Sequence, residues 1–382
     1  MTTGTAEPTP PTPGRRRWPA DAGNRTLVRV ALAWPLAVLA VLAGRAFVSS
    51  GHGQAEQQAA ALVGGGADLH GLGAAYPPVP TLLATVLPGG ATMLGVVAAI
   101  FAGLTLQLLW EQLMALELPN GVSAALLSTL FAVPAVAFLA SQAVAGIASI
   151  SLITVALLGF VRFTVNGSTE GGFVAGLAFA LAFLTSPIAL FYALAAAGST
   201  VFLARERFRA TPGAALATVG VLLFPTVCVA CSWAFLEWRF AGTAFGALVG
   251  SPTFLAFPGG VGASLLAATT TVGLGLVHVP LYVVCGVLAA RVRPLSLVGY
   301  VLPLIGSVVA VWLGLTFTAI TIYVFLTILA LAAAVPARPG RRVTVLLVTT
   351  AVVQLVLAWV WPPTSSGFRD WASVLLGLVG LG

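Results

Sequence analysis

Lysine is absent from this 382-residue chain, so all 17 of its basic residues are arginine. Lysine codons are AT-rich, and an all-arginine basic set points to a high-GC bacterial genome. Charge of either sign is scarce, at 7% of residues, and only ten residues are acidic. A soluble domain needs several times that share to cover its surface, so a water-soluble globule is excluded. Cysteine is limited to Cys228, Cys231 and Cys285, all within apolar segments, which excludes a disulfide framework. Cys228-Val229-Ala230-Cys231 has the spacing of a redox or metal motif, but no polar flank or second ligand pair accompanies it. These cysteines are read as small packing residues. No metal-ligand cluster is visible, and no cofactor is indicated; a divalent metal stands only as an open alternative.

What the sequence has in abundance is apolar residue, 59% of the total. It comes in continuous runs, not in alternation, which excludes a membrane β-barrel. A hydrocarbon core is crossed by about 20 apolar residues in a helix, whose backbone groups pair within the segment. The expected fold is therefore all-α, a polytopic transmembrane helix bundle of about eleven spans. The first is expected over 28–48, and the others near 91–110, 122–140, 143–161, 172–189, 190–204, 212–234, 268–290, 295–314, 316–335 and 343–361. Residues 1–24, rich in Pro, Thr, Gly and Ala and ending near Arg15-Arg16-Arg17, read as a disordered cytoplasmic tail. The first apolar run is longer than a signal-peptide core and reads as an uncleaved helix.

Arginine placement fixes the expected orientation. With the N-terminus cytoplasmic, Arg15, Arg16, Arg17, Arg25, Arg29, Arg162, Arg205, Arg207, Arg209, Arg291, Arg293, Arg338, Arg341 and Arg342 lie inside, against Arg45, Arg239 and Arg369 outside. Trp233, Trp238, Trp359 and Trp361 then fall near the outer interface and Trp110 near the inner one. The transmembrane domain covers 25–361, with two long outer loops at 49–90 and 236–267, and 362–382 forms an outer tail whose apolar run lies along the interface. Interfacial or re-entrant helices are expected on that outer face, and the chain is assigned to the inner (plasma) membrane. The arginines sit in short loops, so no basic face is available to nucleic acid.

Long loops concentrate function, which points to the outer face. Of the ten acidic residues, Glu56, Asp68, Glu237 and Asp370 fall there. Asp68 stands between a glycine run and His70, just ahead of Tyr76-Pro77-Pro78-Val79-Pro80. A carboxylate in that place suits proton abstraction from a hydroxyl nucleophile, with His70 orienting it and Glu56 as a second acid. The competing reading is a solvated loop residue or a helix cap. His278, in mid-span, is a ligand candidate by its depth, or a neutral His bonded to a backbone carbonyl.

Three segments resemble the C-type integral-membrane glycosyltransferases. They are the Tyr76-Pro77-Pro78 segment running to Ala84, the helix Ala175–Phe183 ending in Leu184-Thr185-Ser186-Pro187, and the outer-face stretch from Trp233 through Glu237-Trp238-Arg239 to Phe245. The resemblance covers about half of the chain, in the family's order and on consistent sides. It implies a lipid-phosphate-linked sugar donor in the membrane and a cell-envelope glycan or lipid acceptor. It makes Asp68 the general base, and Arg239, Arg45 and His278 candidate holders of the donor phosphate. Tyr76, Glu237 and Trp238 would belong to the substrate loops. The chain departs from the family pattern in two places: Asp68 lies some twenty residues beyond the first helix, and Gly242-Thr243-Ala244 has no Asp. A non-catalytic scaffold or partner subunit of the same fold, bound to another membrane protein, is therefore the second reading. A transporter is the third, poorly served by span interiors that offer mainly His278, Gln107, Gln354 and hydroxyls.

Overall fold

The computed structural model describes residues 21–44, 76–208, 212–249, 253–315, 319–333, 339–363 and 366–378, and these are all helix and short connection, with no strand. Arg45, Glu56, Asp68 and His70 lie outside the described residues. The chain begins with α1 (Ala22–Gly44), a short helix α2 (Pro78–Val86) and α3 (Gly90–Ala115). A bent pair follows, α4 (Asn120–Phe131) and α5 (Pro134–Gln142), then α6 (Val144–Asn166), α7 (Thr169–Phe183), α8 (Ile188–Phe208) and α9 (Pro212–Ala241). After the single turn α10 (Gly246–Val249) come α11 (Val261–Val277) and α12 (Pro280–Val292), a second bent pair. A 3-10 turn (Pro294–Leu297), α13 (Val298–Trp312), α14 (Ala319–Ala333), α15 (Arg341–Val360) and α16 (Ser366–Leu378) complete it.

Among the described residues, five helical stretches are long and apolar enough to cross a membrane, or up to seven if each bent pair is one span. The eleven apolar runs of the sequence each coincide with a helix or a bent pair, yet several helices are cut short. The bends have a local cause. Proline at the first position of α5 and of α12 lacks an N–H and pushes the preceding residue out of helical geometry. Val133 accordingly sits at ψ 123° and Val279 at ψ 64°, and the axes turn by 59° and 85°. The expected continuous spans 122–140 and 268–290 are thus both broken. The second break is stitched by Gln354 of α15, whose Oε1 accepts from Leu281 N at 3.3 Å while its Nε2 donates to Thr327 Oγ1 at 2.9 Å.

α6 and α14 form the middle. α7 crosses α6 at Gly159 and Gly171, where a Cβ on either residue would come within 2.8 Å of the other's carbonyl oxygen. Small residues allow this approach, as membrane helix contacts require. α11 does not pass through the bundle. Its Val261 carbonyl accepts from Trp312 Nε1 at the end of α13, Gly275 abuts Ile322 at the start of α14, and His278 reaches Trp361 at the end of α15. It therefore lies across three helix ends on one side of the molecule. On that side the loop at Thr253 docks on Gly314, which holds φ 77° and leaves no room for a Cβ.

Two local expectations change, at α9 and at its cysteines. α9 continues to Ala241, so Glu237, Trp238 and Arg239 are helical rather than the opening of a loop. Nothing between Ala234 and Ala241 breaks a helix, and Gly242, at φ 80°, ends it. Cys228 and Cys231 are exposed on the apolar surface of α9 and do not pack inside; only Cys285 is buried. The tail helix α16 packs Phe368 and Trp371 edge-on against Phe138 of α5, turning Arg369 and Asp370 outward.

Candidate functional site

The three segments that carry the family resemblance meet at the same end of the bundle as α11. Tyr76 is buried, and its hydroxyl donates to the Phe183 carbonyl at 2.8 Å. Its ring lies 5.7 Å from that of Phe183 and 5.9 Å from that of Trp233. Three residues on, Val79 N donates to the Leu184 carbonyl at 3.2 Å. These carbonyls belong to the end of α7, where the helix would otherwise leave them without partners. Pro77 and Pro78 stiffen the approach to α2, and the Tyr76–Pro77 peptide is cis. Trp233 Nε1 in turn donates to Glu237 Oε1 at 2.9 Å, one helical turn further along α9. Glu237 is 2% exposed, a buried carboxylate. Burial, and then the Glu237 charge, push the Tyr76 hydroxyl well above the usual tyrosine range, so Tyr76 stays a donor.

Beside this cluster opens a cavity of about 250 Å³. Pro77 and the Thr185-Ser186-Pro187 turn form one wall, and Ser149 of α6, Tyr192 of α8 and Thr321 of α14 supply further hydroxyls. Pro187 interrupts the helical run between α7 and α8, so this turn replaces a continuous helix. Tyr192 is fixed twice: its ring stacks on Phe325 at 3.6 Å and its hydroxyl lies 2.9 Å from Ser307 Oγ. Thr185 Oγ1 donates to the Ala182 carbonyl at 2.6 Å. Among the described residues, no charged side chain lines the cavity. Hydroxyl groups with aromatic and proline walls suit an uncharged polyhydroxyl group better than a phosphate or a cation.

Of the residues singled out from sequence, Tyr76 and Glu237 come together here. Trp238 and Arg239 ride on α9 but point away from it. Positions 237 and 239 are about 200° apart on a helix, and Arg239 is exposed, its guanidinium 5.8 Å from the Phe240 ring centroid. Trp238 is exposed as well, against Phe235. His278 belongs to a separate arrangement at the α11–α12 bend. Its Nδ1 lies 2.7 Å from the Leu274 carbonyl and its Nε2 2.8 Å from that of Trp361, so the backbone occupies both nitrogens. Asp68, His70, Glu56 and Arg45 are not among the described residues. Among the residues that are, no group of three or more His, Cys, Asp or Glu side chains is placed to hold a metal.

Ser149, Tyr192 and Thr321 escaped the sequence reading, because single hydroxyl residues within apolar helices carry no pattern. The one signal was Thr185-Ser186 ahead of a helix-breaking proline. Comparison of the chain with protein-family models, curated proteins and solved structures finds no match.

Proposed function

We propose that this chain is a membrane-embedded glycosyltransferase that moves a neutral sugar from a lipid-phosphate donor to a cell-envelope acceptor. The observation that carries the reading is convergence. Three segments, more than a hundred and fifty residues apart in sequence from first to last, lock together at Tyr76, Phe183 and Trp233 beside a hydroxyl-lined, uncharged cavity. In this reading the cavity takes the sugar. Asp68 acts as general base on the acceptor hydroxyl. It lies eight residues before Tyr76 in the sequence. In this reading the donor phosphate stays outside the cavity, and Arg239, exposed on the last turn of α9 and turned away from Glu237, is the cation assigned to it. Trp238 anchors that turn at the interface.

Orientation follows from the arginines. Arg25, Arg29, Arg162, Arg291, Arg293, Arg341 and Arg342 stand at the helix ends opposite Tyr76. By the positive-inside tendency that end is cytoplasmic, and the working face looks outward from the inner membrane.

The second reading, a non-catalytic scaffold of the same fold, is favoured by one specific observation: Glu237 is bonded to Trp233 and does not line the cavity. Transfer in proteoliposomes separates the two. Supplied with labelled polyprenyl-phosphate monosaccharides and envelope acceptors, the wild-type protein is expected to transfer sugar. Asp68→Asn should lower the rate by about 10²–10⁴-fold with its melting temperature unchanged. Binding of the donor by both proteins, with no turnover by either, would leave the scaffold.

A further inference from the structure

Among the described residues, five hydroxyl side chains line the cavity beside the Tyr76 cluster, and they are of two kinds. Three are engaged within the protein. Thr185 Oγ1 donates to the Ala182 carbonyl, the Tyr192 hydroxyl is paired with Ser307 Oγ, and Thr321 is engaged as well. The other two, on Ser149 and Ser186, have no hydrogen-bond partner among the described residues.

Ser149 is the more telling of the pair. A buried hydroxyl in an apolar helix ordinarily turns back to a carbonyl of its own helix, three or four residues earlier. On α6, Ser151 donates in this way to the Ile147 carbonyl at 2.8 Å and Thr154 to that of Ile150 at 2.8 Å. Ser149, on the same helix and only 5% exposed, does not. A hydroxyl left without a partner at such burial is costly unless something else takes up its bonding capacity. The wall in front of it is kept low. Ala145 and Gly146, four and three residues earlier and so on the same face, also line the cavity. Close helix packing does not demand that glycine, since a Cβ there would make only ordinary contact with Leu139 at 3.4 Å. Ser186 joins the site from a different element, the turn between α7 and α8.

Each free serine can both donate and accept, as a sugar hydroxyl can. The volume, about 250 Å³, falls below the roughly 300–1,000 Å³ typical of drug-sized ligands and suits a single ring. We propose that Ser149 and Ser186 read the sugar: each exchanges a hydrogen bond with a hydroxyl of one neutral monosaccharide ring, and the pair selects that ring over its deoxy counterparts. The inference rests on the glycosyltransferase reading for the lipid that delivers the sugar.

The test measures binding and turnover separately, on the full chain in proteoliposomes. The probes are polyprenyl phosphate carrying glucose, galactose, mannose or arabinose, each against bare polyprenyl phosphate. In the wild type at least one sugar should tighten binding about tenfold, and removing the hydroxyl that is read should cost about fivefold, the worth of one hydrogen bond. In Ser149→Ala or Ser186→Ala the deoxy analogue matched to that serine should bind as well as the parent sugar. Ser149→Ala should melt no lower than the wild type, because it loses no hydrogen bond within the protein. Ser151→Ala, which does lose one, should melt lower and keep the sugar preference.

Equal affinity for bare and sugar-bearing polyprenyl phosphate in the wild type would overturn the proposal. So would a deoxygenation cost that persists for every analogue in either alanine variant, which would leave that serine to a trapped water. Coupling between serine and sugar hydroxyl without turnover would uphold the proposal and remove the enzymatic reading; turnover without coupling would do the reverse.

Discussion

α6 and α9 are both long apolar helices, yet they live in different surroundings. Within the spanning part of α6, 72% of residues are buried by protein; within that of α9, the share is 17%. α6 is enclosed by α3, α7 and α14. α9 buries one narrow stripe, Ala215, Leu222, Thr226, Trp233 and Glu237, spaced alternately seven and four residues apart. The rest of its circumference, including Phe224, Val227, Cys228 and Cys231, is exposed and apolar. Apolar side chains thus serve two ends, since lipid tails are as apolar as Leu. What separates the helices is where small and polar residues sit. α6 has Gly159 at a backbone-to-backbone crossing, whereas α9 places its carboxylate on the one stripe that faces protein.

The largest expected effect tests the crossing. Gly159→Leu forces a side chain into the Gly171 carbonyl and should cost about 3 kcal/mol or more, whereas Gly220→Leu, on the open face of α9 with no neighbour within 4 Å, should leave stability unchanged. Thermal unfolding of the purified protein, followed by the fraction that stays monodisperse, compares the two. Equal losses would break the distinction between enclosed and lipid-facing helices.

Next comes the stitched bend. Gln354→Leu removes the acceptor for Leu281 N and the donor to Thr327, and about 2 kcal/mol of destabilisation is expected. On α9, Glu237→Ala strands the Trp233 indole N–H and should cost about 1–3 kcal/mol, while Glu237→Gln, which keeps an acceptor oxygen, should recover most of it. A Gln variant as damaged as the Ala variant would show that the negative charge matters, not the hydrogen bond. A small effect, within about 0.5 kcal/mol of wild type, is expected at Cys228→Leu as well, because the residue is exposed on the apolar surface of α9.

Reading these helices from sequence succeeded where a single physical variable decides and failed where a neighbour does. Apolar runs located the helices, since burying unpaired backbone in hydrocarbon is too costly for anything else. The same runs hid the break at His278, because Val279-Pro280 inside an apolar stretch is equally compatible with a kink of a few degrees and with one of 85°. Tyr76 and Glu237 were visible as unusual residues on loops expected to work. That Glu237 would face the Trp233 indole, and Arg239 the opposite side, depended on α9 running two turns further than expected.

The sequence by itself determined a helical, membrane-type chain and the positions of its apolar runs. These follow from hydrophobicity and helix geometry, which act residue by residue. Only the tertiary structure decided which apolar faces are covered by protein and which stay exposed, that α11 lies across three helix ends, and that Tyr76, Phe183 and Trp233 share one end beside a hydroxyl-lined cavity. Those outcomes rest on packing between distant segments, where a glycine, a proline bend or one hydrogen bond selects among arrangements that hydrophobicity leaves nearly equal.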